Sequence, residues 1–202
     1  MLELSLLSKH NLAGSFSGRN QTTGATMSIE IPGIGQLVKE NEYDLYYSQP
    51  LPVAVLGGQL CRMVVPKFEE DSDKEEFASA IAKFMSVGQS ALKEAEHHVF
   101  QYYQACNENW EPDDDEFLQI ESASEVWDHV RFGSEAWAKR RGYGDRGIYI
   151  SVECECDWEE EHGLEIVFKN GKVNKIGPYD GHCTNSDAYA DDSLDDIVYR
   201  SI

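Results

Sequence analysis

The residues able to do chemistry crowd into the last quarter of the chain. Cys154 and Cys156 come first, then Glu159, Glu160, Glu161 and His162, then Asp180, His182 and Cys183. Thiolate and imidazole are the donors that tetrahedral zinc prefers, so Cys154, Cys156, His162, His182 and Cys183 make up a candidate metal set. Their spacing argues for a different role. Residues two apart on an extended strand share a face, and the two cysteines continue an apolar series begun by Ile148, Ile150 and Val152. A zinc knuckle separates its cysteines more widely, across a turn that lets both sulfurs reach one ion. Two small buried thiols account for the alternation without metal. The expectation is no metal and no cofactor.

A carboxylate beside an imidazole can act as a general acid–base pair, which makes Glu159 to His162 a second candidate. No Ser, Thr or Cys is tied to this histidine by spacing as a nucleophile. The paired histidines around a glutamate that mark zinc proteases are absent, and His97 and His98, being adjacent on a helix, face different directions. In the simpler reading Trp158 packs into the core, His162 satisfies a nearby backbone group and Gly163 supplies a turn. Asp180-Gly181-His182 reads as a polar turn, followed by Thr184, Asn185, Asp187 and Tyr189; it suits hydrogen bonding or recognition as well as catalysis. Asp187, Asp191, Asp192, Asp195 and Asp196 lack the spacing and central glycine of a calcium loop, so solvation is the expectation. The one basic stretch, Arg131 to Arg146 with Lys139-Arg140-Arg141, also holds Trp137 and Tyr143. It fits interface anchors and a charge-fringed edge strand equally.

These residues need a frame, and hydrophobic periodicity predicts one. Ile148 to Cys156 alternates, with Tyr149, Ser151, Glu153 and Glu155 on the opposite face, as in a sheet with one buried side. Leu164 to Lys169 and Lys172 to Ile176 flank Asn170-Gly171, the pair that best tolerates the positive φ angles of a type I′ turn, which predicts a hairpin. Upstream, Gln36 to Lys39, Tyr43 to Tyr47, Leu51 to Leu56 and Gln59 to Val65 suggest an antiparallel meander, with Gly57-Gly58 as a turn and Pro50 and Pro52 confining their segment to a loop or an edge. Ser72 with Glu75 reads as a capping box opening a helix over 73–85 that carries Phe77, Ile81 and Phe84. Ser86 with Gln89 marks a further start near Gly88, before Leu92, Ala95, Val99, Tyr102 and Cys106. Ser122 with Glu125 marks a shorter helix. The expected fold class is α+β, an antiparallel sheet covered by two or three helices and ending in a β-hairpin.

Composition narrows the class of partner. Seventeen basic against 37 acidic residues give a formal charge of −20, which repels nucleic-acid phosphates and anionic membranes and favours basic partners. Five cysteines without the dense spacing of a disulfide scaffold point to reduced thiols. The start, with an acid at Glu3 and a short apolar run, suits neither a signal peptide nor a membrane span. The expected setting is the cytoplasm. Residues 1–26, rich in Gly, Ser, Thr and Asn, read as a flexible extension, and 27–202 as a single domain.

Ile31-Pro32-Gly33 with Gly35, Pro50-Leu51-Pro52-Val53, the Phe77 to Tyr103 helices, the run from Cys156 to Leu164 and Asp180-Gly181-His182 together resemble a bacterial family known only as a domain of unknown function. The likeness covers roughly Met27 to Tyr199. It extends more faintly to uncharacterised domains often found among immunity proteins encoded beside bacterial polymorphic toxins. The resemblance implies an α+β domain and brings no assigned catalytic residue. The resulting expectation is an acidic binding protein, of the immunity type, that occludes a basic toxin or nuclease through Glu159, Glu160, Glu161, His162, Asp180, His182 and Asn185. The rival is a metal-dependent hydrolase built on His162, His182 and Cys183, which requires those side chains to converge in one pocket.

Overall fold

A computed structural model describes residues 27–40, 43–108, 110–114 and 117–200; the expected extension over 1–26 lies outside the described residues. Nine strands form one sheet: β1 (Ser28–Ile31), β2 (Gly35–Lys39), β3 (Leu45–Tyr47), β4 (Leu51–Val53), β5 (Gln59–Pro66), β6 (Val130–Arg140), β7 (Ile148–Cys156), β8 (Glu159–Lys169) and β9 (Lys172–Gly177). The order is β1-β2-β3-β5-β6-β7-β8-β9, and β4 shares an edge of β5 with β3. All neighbours are antiparallel except β5 and β6, which run parallel with Met63 opposite Ala136. A parallel neighbour needs a long crossover. Residues 67–129 supply it and contain α1 (Lys74–Met85) and α2 (Ser90–Asn107). Among the described residues no helix is long and apolar enough to cross a membrane.

The architecture is therefore mixed α/β, a large and mostly antiparallel open sheet with three helices and the expected hairpin at β8–β9. Helix α1 contacts β6, β7 and β8, and α2 contacts β9, which falls short of helices covering nine strands. Phe77, Ile81 and Phe84 of α1 and Leu92, Ala95, Val99 and Tyr102 of α2 are buried, as the helical spacing predicts. In the hairpin Asn170 and Gly171 take φ angles of 52° and 80°, both in the left-handed region that a type I′ turn requires.

Three local expectations are corrected. The residue capping α1 is Asp73 rather than Ser72 and makes no side-chain cap bond; Asp71 Oδ1 accepts the Asp73 N–H instead. The third helical start produces a 3-10 helix, Ala123–His129, in which Ser122 Oγ donates to the Glu125 carboxylate rather than accepting a backbone amide. The basic stretch is no edge, because β6 lies between β5 and β7. Two of its charges turn into the protein: Arg140 pairs with Asp71 and Glu76, and Arg141, 3% exposed, pairs with Asp187 and Asp195.

The alternation on β7 holds, with Ile148, Ile150, Val152, Cys154 and Cys156 in the main core. On its other face Glu153 and Glu155 are exposed, yet Tyr149 and Ser151 are buried. The cover is the C-terminal segment 178–200, here termed the strap, which includes α3 (Asn185–Tyr189). Its Cys183 packs on Tyr149 and Val167. Beside them Lys175, 1% exposed, donates to Glu165, Asp180 and the His182 carbonyl, while Ser151 Oγ donates to Glu165. The strap then rounds the edge of β9, where Ile176 N–H donates to the Val198 carbonyl, and Tyr199 comes to rest near Tyr102.

Candidate binding groove

Where the strap leaves the second face uncovered, the end of β7 lies between two interruptions of the ladder. On the β6 side the register passes from Phe132–Cys154 to Ala136–Val152, so Gly133 to Glu135 face the single residue Glu153. On the β8 side it passes from Cys154–Leu164 to Cys156–Glu159, so Glu160 to Gly163 face Glu155 alone. Glycine permits both close approaches. A Cβ on Gly133 would stand 2.4 Å from the Glu153 carbonyl oxygen, and one on Gly163 the same distance from that of Cys154. Extra residues on one strand of a pair bend it and re-aim its side chains.

Each bulge is held by named groups. Gln59 Nε2 donates to the carbonyls of Phe132 and Gly133 at 2.7 and 2.8 Å. The Glu159 carboxylate accepts the N–H of Glu161 at 3.1 Å and of His162 at 2.7 Å. Tyr102 Oη donates to the Gly163 carbonyl at 2.9 Å, and Tyr179 N–H to that of His162 at 3.2 Å. Between the bulges runs a groove of about 620 Å³ lined by Glu135, Glu153, Glu155, Glu159, Glu160 and Glu161, together with Arg131 and Trp137. The arginine offsets only part of this charge, pairing with Glu155, one of the six, and with Asp157; Arg131 in turn holds the Asp157 carboxyl below the ordinary carboxylate range.

A family model for a domain of unknown function, DUF6985, matches residues 33–183, about three-quarters of the chain and every residue lining the groove. The chain belongs to the DUF6985 family. No match is found among curated proteins or among solved structures. The DUF6985 match stops at Cys183, so α3 and the remainder of the strap follow it.

In this DUF6985 chain the residues singled out from sequence fall into separate places. The turn expected at Gly163 falls instead at Asp157-Trp158, and Glu159 to Gly163 lie on β8. Glu160, Glu161 and His162 are exposed at the groove, whereas Glu159 spends its carboxylate on the bulge amides. His162 Nδ1 is 3.4 Å from Glu159 Oε2, the oxygen that also accepts the His162 N–H. Trp158 packs edge-on against Tyr102 and Tyr103. Asp180 accepts the His182 N–H at 2.8 Å and pairs with Lys175, and His182 itself is exposed. Asn185 is buried and donates to the carbonyls of Ile197 and Val198, which makes it part of the strap's frame.

The candidate metal set is divided by the sheet. Cys154 and Cys156 lie in the main core and Cys183 in the cluster on the opposite face, and the groove takes in His162 without His182. Among the described residues no three His, Cys, Asp or Glu side chains come together in a way that could hold a metal ion. Burial pushes the thiols of Cys106 and Cys183 up to about 11 and that of Cys156 up to about 12, far from the depressed values of reactive cysteines.

Sequence reasoning missed Glu135 and the role of Arg131. The available signal was Gly133, a lone glycine inside a strand pattern, which marks a bulge or a close backbone approach.

Proposed function

We propose that this DUF6985 chain is a binding protein whose working surface is the groove on β6, β7 and β8, and that it docks a basic protein partner in the manner of an immunity factor occluding a toxin or nuclease. One observation carries the reading: six carboxylates line a single concavity whose one arginine pairs with just one of them, Glu155, and otherwise with Asp157. Such a surface, on a chain of formal charge −20, raises the encounter rate with a cationic patch and turns away polyanions. Inhibition is then steric and electrostatic and needs no chemistry from Glu160, Glu161 or His162. A cytoplasmic setting belongs to this reading, supported by five free thiols that are buried or half-buried.

The test is co-expression with the product of the neighbouring gene, followed by size-exclusion chromatography at low and at 1 M salt. A complex that dissociates at high salt and is lost in a Glu160→Lys, Glu161→Lys variant supports the proposal. A complex that tolerates both charge reversals, or none with the wild type, overturns it.

A further inference from the structure

The strap and the groove are joined at two points. Tyr179, at the strap's start, donates its N–H to the carbonyl of His162 on the β8 bulge. Lys139 Nζ stands 5.9 Å from the ring centroid of Trp137, which lines the groove, and 5.6 Å from that of Tyr179, spanning both by cation–π attraction.

The strap is in turn fastened at three places. Its start is held by Cys183 on Tyr149 and Val167 and by Lys175, which pairs with Asp180 and donates to the His182 carbonyl, and its end by Val198 on the edge of β9. Its middle is fastened by a second buried cation. Arg141 donates to both oxygens of Asp187 at 2.8 to 3.1 Å and reaches Asp195 at 2.6 Å. One buried guanidinium just past the end of β6 therefore locks α3 and the turn after it together, and Asn185 ties that lock back to Ile197 and Val198.

We infer that the strap is a positioning element for the groove: with Arg141 engaged, the Tyr179 amide buttresses the bulge that carries Glu160 and Glu161, and with the lock undone the bulge loses its order and the groove its affinity. This rests on the groove being the binding surface. The physical reason is preorganisation. A bulge of four residues opposite one has few ladder bonds of its own, so each outside hydrogen bond removes freedom that binding would otherwise have to remove.

The test uses the full chain, hexalysine as probe and low ionic strength, where attraction between exposed charges is least screened. Asp187→Asn undoes the lock; Asp196→Asn removes the same charge from an exposed position in the same segment. The expected result is that Asp187→Asn weakens hexalysine binding about three- to tenfold, the equivalent of ordering one or two further side chains, and speeds amide exchange over residues 159–163. Asp196→Asn should do neither. If Asp187→Asn does not fold, Asp195→Asn, a more exposed partner of the same guanidinium, takes its place. Equal affinities for the two Asn variants, or faster exchange with unchanged affinity, overturn the coupling and leave the groove reading standing. A wild type that does not bind hexalysine, or binds it equally after Glu160→Lys with Glu161→Lys, overturns the groove reading and the coupling with it.

Discussion

Replacing Gly163 by alanine should be among the most damaging single-methyl changes in this protein. Gly163 sits at φ +61°, and an L residue in that left-handed region costs about 1–2 kcal/mol. Its new Cβ would also fall 2.4 Å from the Cys154 carbonyl oxygen, where ordinary contact begins at 3.4 Å. That oxygen belongs to the neighbouring strand's backbone and cannot rotate away, while Tyr102 Oη holds the Gly163 carbonyl from the other side. Forcing atoms into a filled site adds about 1–3 kcal/mol, for a total of about 2–5 kcal/mol. Two controls separate the contributions. Gly181 has φ +77° with nothing within 4 Å of its added Cβ, so Gly181→Ala should show the conformational cost alone, about 1–2 kcal/mol. Gly177 has open space and no positive φ, and Gly177→Ala should be neutral or stabilising by about 0.4–1 kcal/mol through the unfolded chain. Urea denaturation followed by tryptophan fluorescence is the assay; at a slope of about 2 kcal/mol per molar, the Gly163→Ala midpoint should drop by about 1–2.5 M. If Gly163→Ala and Gly181→Ala unfold at the same urea concentration, the close approach at Cys154 is not real and the bulge geometry with it.

Three other measurements probe different parts of the molecule. Lys175→Met leaves the fully buried Glu165 without its cation and should cost about 3–5 kcal/mol; adding Glu165→Leu should recover most of that, and a double variant no better than the single would refute the buried pair. Arg140 holds Asp71 below its ordinary value of 3.8. The folded protein then binds fewer protons at Asp71 than the unfolded chain, so this contribution to stability is full above that value and is lost as pH falls through the lowered one. Acid unfolding followed by circular dichroism should be less steep in Asp71→Asn, and an unaltered slope would count against the Arg140 pair. Finally, four of the five cysteines are buried and Cys106 is partly so, so a thiol reagent at neutral pH should label the native protein slowly and all five sites at once in denaturant; rapid native labelling of Cys154 or Cys156 would contradict their place in the core.

What could be read from the sequence was what short range decides. Asn170-Gly171 announced its turn because the φ requirement is local, and Phe77, Ile81 and Phe84 announced a helix because their spacing is. Ser72 and Glu75 misled for the opposite reason: Asp71 beside them takes up the Asp73 amide while its other oxygen meets Arg140, 69 residues away, and no local pattern reports such a partner. The same applies to Arg141, which reads as surface charge until the strap brings Asp187 and Asp195 to it. Tyr149 and Ser151 alternate as an outer face should, and only the strap makes that face an inner one. At the groove, Glu153 and Glu155 were legible from alternation alone. Glu135 was not, because the bulge at Gly133 re-aims it, and period-two counting assumes that no residue is inserted.

The parallel seam between β5 and β6 has a consequence for how the chain is made. Every other strand pairs with one close by in sequence, but β5 must wait for the whole of 67–129 before the neighbour on its other edge exists. During synthesis the β1 to β5 meander emerges first, with the Arg62 to Val64 edge open and hydrogen-bonding groups that any passing strand can use. Nascent chains stalled within the crossover should therefore be the species that draws chaperones, and those extended past β7 should not.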